Sequence, residues 1–363
     1  MYNKAIEVLN KFYEHGYEAY IVGGYPRDKM LGIVTNDIDI CTNAKPKEIM
    51  EIFDTEGVSD IKYGAVKVIY KGMFFDVTTY RKDIKYENNR KPVKIKYVTE
   101  LKKDLLRRDF TINTMCIDRE GNLIDLLDGK KDIDRKIITT VGNPRYRLKE
   151  DSLRILRAIR FASSLDFNID SKVKVYIKKY GSLLKYLSYS RKKEELDKIF
   201  SSKNKEKGVG LILELGLDKY LELSNLDKVV LCDDIIGIWS QIDCANNYPF
   251  SKVENENISK VRKMLDEGIS NYTIYKYGLY VSSVVASVKK VSYKEINDIY
   301  KHLAIYSRKD MKVNGKDIAK ILKRDTGNYI KDIINDIELK IVNNELDNDY
   351  DVLSKYIKKK YGG

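Results

Sequence analysis

The stretch from residue 19 to residue 40, AYIVGGYPRDKMLGIVTNDIDI, constrains the fold of this chain more than any other. Its first four residues are mainly apolar and predict a short buried strand. Gly23 and Gly24 follow, and they allow the backbone to turn tightly and to approach a ligand closely. Pro26 suits the first turn of a helix, with Arg27 just inside it. A helix N-terminus behind a glycine turn favours a phosphate group, to which the Arg27 guanidinium would add a charged hydrogen-bond fork.

Two aspartates, Asp37 and Asp39, stand at the end of this stretch in the sequence DIDI. If DIDI is a strand, the side-chain period of two places both carboxylates on one face and both isoleucines on the other. Hard divalent cations such as Mg²⁺ prefer carboxylate oxygens on one side and substrate phosphate on the other. An isolated D-x-D is common at solvated strand edges. The metal-binding interpretation therefore depends on its occurrence together with the glycine turn.

A third aspartate lies in a predicted hairpin formed by residues 65–70 and 74–80, which are rich in β-branched and aromatic residues. Asp76 stands inside the second of these strands. An outward-facing, solvated position would explain a charge there. The alternative is a third carboxylate that faces Asp37 and Asp39.

Residues 81–108 contain eleven Lys or Arg and four Asp or Glu, with no clear apolar period before residue 95. We predict a mobile loop from about Arg81 to Lys94, followed by a strand. A basic run of this kind is usually a solvated face. Because it lies between candidate site elements, it could also close over a nucleotide.

The segment LLRRDFTINTM follows at residues 105–115. Arg107 and Arg108 supply guanidinium groups that suit phosphate. Asp109 and Asn113, one helical turn apart, could hydrogen-bond a ribose hydroxyl. On physical grounds alone, a strand-to-helix junction with Asp109 as a cap explains the segment equally well.

The segment RYRLKEDSLRILRAIRFASSL begins at residue 145 and predicts an amphipathic helix. Asp151 and Arg154 are three positions apart, so they would be neighbours on the helix surface. One interpretation is an exposed ion pair, which contributes little to stability. In the other, the carboxylate accepts from an exocyclic amine and the guanidinium donates to a ring nitrogen or carbonyl. Together they would match the Watson–Crick edge of cytosine or, after a small rotation, of adenine.

The charge of the chain favours a polyanionic partner. Its 363 residues include 67 Lys or Arg and 54 Asp or Glu, a formal net charge of +13. Between Lys172 and Lys193 there are eight Lys or Arg, no acidic residue and four interleaved tyrosines. This stretch is a candidate RNA-facing surface. A lysine-rich soluble helix with tyrosines packed inward is the alternative.

Several classes of protein are disfavoured by what the sequence lacks. The four cysteines have no metal-ligand spacing, and they are typical of reduced thiols in a cytoplasmic protein. With two histidines, a His-based zinc site, a Ser-His-Asp triad and a His-Asp phosphohydrolase are all disfavoured. The sequence has no N-terminal signal pattern and no run of 18 apolar residues. We therefore expect a cytoplasmic protein that does not associate with a membrane.

The motifs GGYPRD…DIDI, RRDFTIN and EDxLRxLRAxRFA together resemble those of the polymerase-β-like nucleotidyltransferases. Within this group the chain is most similar to the class II tRNA nucleotidyltransferases (CCA-adding enzymes) and the bacterial poly(A) polymerases. The resemblance covers about residues 19–165. It returns at residues 303–357, which look like the tail domain of bacterial class II CCA-adding enzymes. Pro26 departs from the family, which usually has Val there, but proline is compatible with a helix start.

The resemblance implies an α+β fold with a polymerase-β-like nucleotidyltransferase head and an antiparallel-type sheet, followed by an all-helical neck, body and tail. We place the catalytic head at residues 1–142 and the neck, with its nucleotide-selecting motif, at residues 143–200. The helical body would span residues 201–300. The tRNA-binding tail would span residues 301–363.

The resemblance also implies the reaction, which is template-independent addition of CCA to the 3′ end of tRNA from CTP and ATP, with Mg²⁺ as cofactor. Asp37 and Asp39 would bind two Mg²⁺ ions and, with Asp76, form the catalytic group. The residues expected to hold the nucleotide are Gly24, Arg27, Arg108, Asp109, Asn113, Asp151, Arg154, Arg157 and Arg160.

Partial activities are the main alternatives. CC-adding relatives have a shortened loop at residues 81–94, so the long loop here argues against a CC-adding enzyme. The tail argues against a poly(A) polymerase, and an A-adding enzyme stays open. A non-catalytic RNA-binding protein on the same scaffold is a different class. The intact candidate site residues argue against it.

Overall fold

The computed structural model describes residues 1–56, 63–87, 91–244 and 247–362. It divides into two compact units. The first consists of Met1–Leu226 and Cys244–Tyr248, and the second of Asp227–Asp243 and Pro249–Gly363. The finer division into head, neck, body and tail stays a prediction.

The N-terminal part of the first unit is built on strands. They are β1 (Ala19–Val22), β2 (Asp39–Thr42), β3 (Asp54–Thr55), β4 (Ala65–Tyr70), β5 (Met73–Thr79), β6 (Arg81–Glu87), β7 (Lys91–Tyr97), β8 (Cys116–Ile117) and β9 (Leu123–Ile124). Seven of them form one sheet in the order β3-β4-β5-β2-β1-β8-β9. The neighbours β2 and β5 are parallel and the other pairs are antiparallel. The sheet is therefore mixed, which corrects the antiparallel type expected from the sequence.

The basic segment after β5 is a hairpin. Strands β6 and β7 pair antiparallel, with Arg81 opposite Tyr97. The predicted mobile loop at residues 81–94 is therefore wrong over the residues described, while Arg90 lies outside them. Apolar residues alternate with charged ones in this segment, as Ile84 and Ile95 illustrate, but its many lysines obscured the period of two.

One face of the sheet is covered by α1 (Tyr2–Glu14). Its buried residues, Ala5, Val8, Leu9 and Phe12, follow the i, i+3, i+4, i+7 pattern. They pack in one core with strand residues such as Ile40. Each large apolar side chain buried in this way contributes roughly 1.5–3 kcal/mol relative to exposure. Burial of this face leaves the charged strand residues on the opposite face.

The opposite face has a smaller apolar cluster at one end only. Val22, Cys41, Tyr80, Leu105 and Cys116 are among its buried members. All four cysteines of the chain are free thiols, as the sequence predicted. Beyond this cluster the face is polar and open. The candidate carboxylates lie there.

Helices make up most of the rest of the first unit. They are α2 (Gly24–Met30), α3 (Pro46–Ile52), α4 (Leu101–Leu105), α5 (Gly129–Asp134), α6 (Pro144–Glu150), α7 (Leu153–Leu165), α8 (Ser171–Tyr180), α9 (Tyr189–Phe200), α10 (Lys205–Glu214) and α11 (Asp218–Leu221). Three two-residue strands interrupt them, namely β10 (Ile137–Ile138), β11 (Asn168–Ile169) and β12 (Leu223–Ser224). Residues 143–226, which were expected to be all-helical, are thus mainly helical and include the short strands β11 and β12.

The second unit is helical. Its helices are α12 (Ile235–Gln241), α13 (Lys252–Glu267), α14 (Asn271–Lys289), α15 (Tyr293–Lys301), α16 (Gly315–Leu322), α17 (Tyr329–Val342) and α18 (Tyr350–Tyr361), and the two-residue strand β13 (Asp243–Cys244) precedes α13. Capping boxes at Ser251 and Ser270 begin α13 and α14. Trp239 is buried against Phe250, as a core tryptophan should be. Within the described ranges, every helix is too short or too polar to cross a membrane.

Candidate active site

The glycine turn brings the backbone after β1 close to the candidate carboxylates. Gly23, the N-cap of α2, has a φ of 86°, which L side chains rarely adopt. A Cβ atom there would lie 3.2 Å from Asp39 Oδ2 and 3.8 Å from Arg108 Nη1. Both the torsion angle and the close approach therefore require glycine. Gly24 is the first residue of α2, so the predicted glycine turn into a helix is confirmed.

Asp37, Asp39 and Asp76 meet on the open face of the sheet. Ile38 and Ile40 are buried, whereas Asp37 and Asp39 are exposed. This is the predicted alternation. Strand β2 begins at Asp39, so Asp37 directly precedes it. Asp39 pairs in register with Asp76 on the parallel strand β5, and such partners point to the same face. Asp76 is exposed, as the first interpretation expected, and it also lies beside Asp39, as the second expected.

The electrostatics of this group suit a divalent cation. Burial of the Asp39 carboxylate raises its pKa to about 6, although the residue stays accessible to solvent at the mouth of the site. The negative charges of Asp37 and Asp76 raise this pKa as well, while Arg108 and Arg157 lower it. Among the described residues, no three His, Cys, Asp or Glu side chains already form a metal-binding cluster. Hard divalent cations prefer oxygen ligands such as these carboxylates.

Arg108 is held beside these carboxylates by a residue that the sequence analysis missed. Asp104, whose surface is fully buried, accepts from Arg107 Nε at 2.8 Å and from Arg108 Nη2 at 3.3 Å. It also accepts from the backbone N–H of Arg81 at 3.1 Å. Desolvation opposes ionisation, but the two arginines outweigh it and lower the pKa of Asp104. An acidic residue three and four positions before an arginine pair was the available signal.

Five side chains around the RRDFTIN segment form a continuous hydrogen-bond network. Arg27 donates from Nε to Asp28 Oδ1 at 2.8 Å and from Nη1 to Asn113 Oδ1 at 2.6 Å. Asn113 Nδ2 donates to Asp109 Oδ1 at 3.2 Å. Asp109 Oδ2 accepts from Arg157 Nε at 2.7 Å. Arg157 outweighs the desolvation of Asp109 and lowers its pKa. Four of the predicted nucleotide-binding residues are thus connected, namely Arg27, Asp109, Asn113 and Arg157.

The ring of Phe161 lies under this network. The guanidinium carbons of Arg27, Arg157 and Arg160 are 5.1, 5.3 and 4.2 Å from its centroid. Arg160 Nε also donates to the buried Glu195 at 2.7 Å. Sequence reasoning missed Phe161 and Glu195. Phe161 belongs to the quoted motif, whereas the contact with Glu195 joins distant parts of the chain.

The predicted pair of Asp151 and Arg154 does not share a helix surface. Arg154 lies on α7, is 5% exposed and donates to the backbone carbonyls of Arg147 at 2.9 Å and Arg107 at 3.2 Å. Asp151 instead precedes α7, at the C-cap of α6. The expectation that Asp151 and Arg154 are neighbours on the surface of one helix is therefore wrong. The charges still interact, because burial raises the pKa of Asp151 and Arg154 opposes that rise.

The basic stretch at residues 172–193 is only partly exposed. On α8, the rings of Tyr176 and Tyr180 stack with a centroid distance of 5.9 Å, and Lys149 Nζ lies 5.7 Å from the second ring. Lys192 and Lys193 on α9, by contrast, are buried. A nucleic acid would therefore meet the lysines and tyrosines of α8 rather than these two lysines.

Models of three protein families match three successive segments of the chain. Residues 19–139 match the poly(A) polymerase head domain. Residues 166–226 match the family described as a probable RNA- and SrmB-binding site of polymerase A. Residues 247–357 match a putative second domain of tRNA nucleotidyltransferases.

Whole-chain relatives decide the family. The CCA-adding enzyme of Ligilactobacillus salivarius is 34% identical, over 99% of this chain and 96% of its own length. That of a Geobacillus strain is 32% identical, over 96% and 94%. The chain belongs to the CCA-adding enzyme family.

Solved structures of CCA-adding enzymes share the fold. The Bacillus stearothermophilus CCA-adding enzyme in complex with CTP matches with a TM-score of 0.87 and 27% identity, over 99% of this chain and 97% of that one. The Thermotoga maritima CCA-adding enzyme complexed with tRNA has a TM-score of 0.71 at 22% identity, over 98% and 94%, and shows the fold alone. The predicted fold class and family, and the prediction of a nucleotidyltransferase, are confirmed. CCA-adding enzymes are nucleotidyltransferases, a class that generally uses divalent metals. The roles of individual residues stay predictions.

Proposed function

We propose that this chain adds C, C and A in sequence to the 3′ end of tRNA, using CTP and ATP without a nucleic-acid template. The 3′-hydroxyl of the RNA would attack the α-phosphorus of the bound nucleotide, and pyrophosphate would leave. The observation that carries the proposal is the in-register pairing of Asp39 with Asp76, beside Asp37 and next to Arg108. That pairing gathers the carboxylates such a transfer needs at the glycine turn. The reduced thiols and the tRNA substrate support a cytoplasmic location.

The cofactor we propose is Mg²⁺, held by Asp37 and Asp39. The donors of both residues are carboxylate oxygens, which fit a hard divalent cation better than a soft one. When bound, the metal would lower the pKa of the attacking hydroxyl and neutralise charge on the pyrophosphate. Asp76 would orient the hydroxyl from the neighbouring strand. Arg108 would face the phosphates.

Selection of the base would fall to Asp151 and Arg154. The Asp151 carboxylate would accept from the exocyclic amine that cytosine and adenine share, which uracil and guanine cannot offer at the same edge position. Arg154 is fixed by backbone carbonyls, so its guanidinium has a defined position. Fixed donors and acceptors are what a protein needs in order to replace a template strand.

The test is incorporation of labelled CTP and ATP, separately and together, into three tRNA transcripts that end before CCA, after C and after CC. Stepwise completion of all three, stopping at A, is the expected result. Incorporation of ATP alone, on the CC-ended transcript alone, would identify an A-adding enzyme. Long adenylate tails on any RNA would identify a poly(A) polymerase.

A matched inactive variant separates catalysis from RNA binding. Asp39→Ala removes a proposed metal ligand, and we expect it to abolish incorporation while tRNA affinity stays nearly unchanged. Weak tRNA binding by Asp39→Ala would contradict the metal role. Retained tRNA binding by the wild type with no incorporation at any Mg²⁺ concentration would point to a non-catalytic RNA-binding protein.

A further inference from the structure

Asp104 is buried among arginines, and the proposed mechanism gives it no task. Its carboxylate has no exposed surface and accepts from three donors. Oδ1 accepts from Arg107 Nε and the Arg81 backbone, while Oδ2 accepts from Arg108 Nη2. A carboxylate is rarely buried this deeply unless its charge is compensated. Here the compensation comes from the two arginines that follow it in the chain.

Arg108 needs such a partner because another carboxylate is close. A Cβ atom at Gly23 would lie 3.8 Å from Arg108 Nη1 and 3.2 Å from Asp39 Oδ2. The guanidinium and this carboxylate are therefore both close to the glycine turn. Without a second acceptor, a poorly solvated guanidinium would be drawn toward Asp39 and away from an incoming phosphate. Asp104 supplies that acceptor from the α4 side. Arg108 Nε has no hydrogen-bond partner among the described residues, so the guanidinium is held from one end.

The backbone of the same segment is also fixed. Arg147 Nη2 donates to the carbonyls of both Arg107 and Arg108, and Arg154 donates to that of Arg107. Carbonyls held from one side and guanidinium groups held from the other leave Arg108 little freedom. A preorganised cation of this kind binds phosphate without first having to be ordered.

We propose that Asp104 is a positioning residue, which holds the Arg108 guanidinium toward the nucleotide triphosphate and off the Asp39 carboxylate. The inference rests on the proposed function, because it assumes that Arg108 faces the nucleotide. Asp104 has no exposed surface with which to touch the nucleotide or the tRNA. Its effect is exerted entirely through Arg108.

The test is a double-mutant cycle read out by CTP binding in the absence of tRNA. We expect Asp104→Asn to weaken CTP binding about tenfold and to lower kcat, while tRNA affinity and the KM for tRNA stay unchanged. Arg108→Ala should weaken CTP binding at least as much. The double variant should bind CTP no more weakly than Arg108→Ala alone, because Asp104 has nothing left to position. Equal losses in the wild-type and Arg108→Ala backgrounds would overturn the proposal.

Two further variants separate positioning from folding. Glu100→Gln changes an exposed carboxylate four residues earlier and should leave CTP binding unchanged. Asp104→Glu keeps the charge and should restore CTP binding to within threefold of wild type, even if its Tm falls. If Asp104→Asn does not fold, this variant carries the test, and tenfold weaker CTP binding by folded Asp104→Glu would then count against the proposal. Failure of the wild type and Glu100→Gln to extend tRNA would instead refute the proposed function.

Discussion

At the scale of single residues, the torsion angles of Gly23 determine how closely the backbone approaches Asp39. Gly23→Ala would place a side chain in a left-handed conformation and 3.2 Å from Asp39 Oδ2. The strain should cost about 1–3 kcal/mol of stability. Displacement of the carboxylate should lower incorporation of CTP at least tenfold. Urea unfolding and initial incorporation rates measure the two effects separately.

Gly32→Ala is the matched control for Gly23→Ala. Gly32 also has a positive φ, of 68°, but a Cβ atom there would meet no atom within 4 Å. This control should lose stability through backbone strain while it retains most of its activity. Equal loss of incorporation in both variants would show that strain, rather than contact with Asp39, explains the result.

The ionised Asp39 carboxylate should lower the stability of the folded chain, to an extent that depends on pH, although activity requires it. Burial raises its pKa in the folded chain to about 6, above the ordinary value of 3.8. The carboxyl therefore contributes most to stability below about pH 4, and this contribution is lost as the pH rises through about 6. Asp39→Asn removes the charge, so we expect a Tm about 2 °C or more above wild type at pH 7.5. That gain should shrink below pH 6, while incorporation is abolished at every pH.

The control for Asp39→Asn is Asp54→Asn, an exposed carboxylate on β3. Thermal unfolding between pH 4 and 8 should show no pH-dependent change in its Tm relative to wild type. A gain for Asp39→Asn that is the same at pH 4.5 and pH 7.5 would contradict the electrostatic origin.

At the scale of elements, features that depend on local sequence patterns were predicted, whereas contacts between distant parts of the chain were not. The period of two in DIDI placed Asp37 and Asp39 on one face, and the hairpin at residues 65–80 supplied Asp76. The parallel pairing of β2 with β5 depends on a crossover that no local pattern specifies. The same limit explains why the contact between Arg160 and Glu195 was missed, because 35 positions separate the two. The resemblance to a known family supplied the residue roles that spacing could not.

The junction between α6 and α7 should control the choice of nucleotide. Arg154→Ala would leave the buried carbonyls of Arg147 and Arg107 with fewer donors, at a cost of about 1–3 kcal/mol. We also expect incorporation to become less selective, with UTP or GTP accepted in competition with CTP. Competition assays with all four nucleotides measure the ratio. Arg191→Ala, an exposed arginine on α9, should change neither quantity. Full selectivity in a destabilised Arg154→Ala would show that Arg154 is structural only.

The β6–β7 hairpin should matter for the last step of addition. It lines a cleft of about 770 Å³ together with residues of α4 and α6, and Ile84 on it is 51% exposed. Replacing residues 84–94 with a two-residue Asn-Gly turn keeps Asp83 opposite Ile95, and it should leave C addition intact and reduce A addition at least tenfold. Denaturing gels of the extended transcripts resolve each step. A length-matched Gly-Ser replacement of the same residues separates length from sequence. Addition of A at the wild-type rate by the shortened chain would exclude this role.

At the scale of the whole molecule, the net charge of +13 should make tRNA binding strongly dependent on salt. Lysines and arginines that neutralise phosphates release counterions, so log affinity falls linearly with log salt concentration. We expect tRNA affinity to fall at least tenfold between 50 and 200 mM salt. CTP binding involves fewer phosphates and should fall less. Fluorescence titrations over a salt series measure both slopes.

The effect of where the lysines lie on tRNA binding can be distinguished from the effect of the net charge of the chain. Lys178 and Lys179 are exposed on α8, while Lys130 and Lys131 are exposed on α5. Changing either pair to glutamate alters the net charge equally. If α8 contacts phosphates, Lys178→Glu with Lys179→Glu should reduce the salt slope by about two, since each lost phosphate contact lowers it by about one. The α5 pair should leave the slope nearly unchanged, and CTP binding should be the same in both variants. Equal slopes for the two variants would mean that tRNA responds to the overall charge of the chain and not to the lysines of α8.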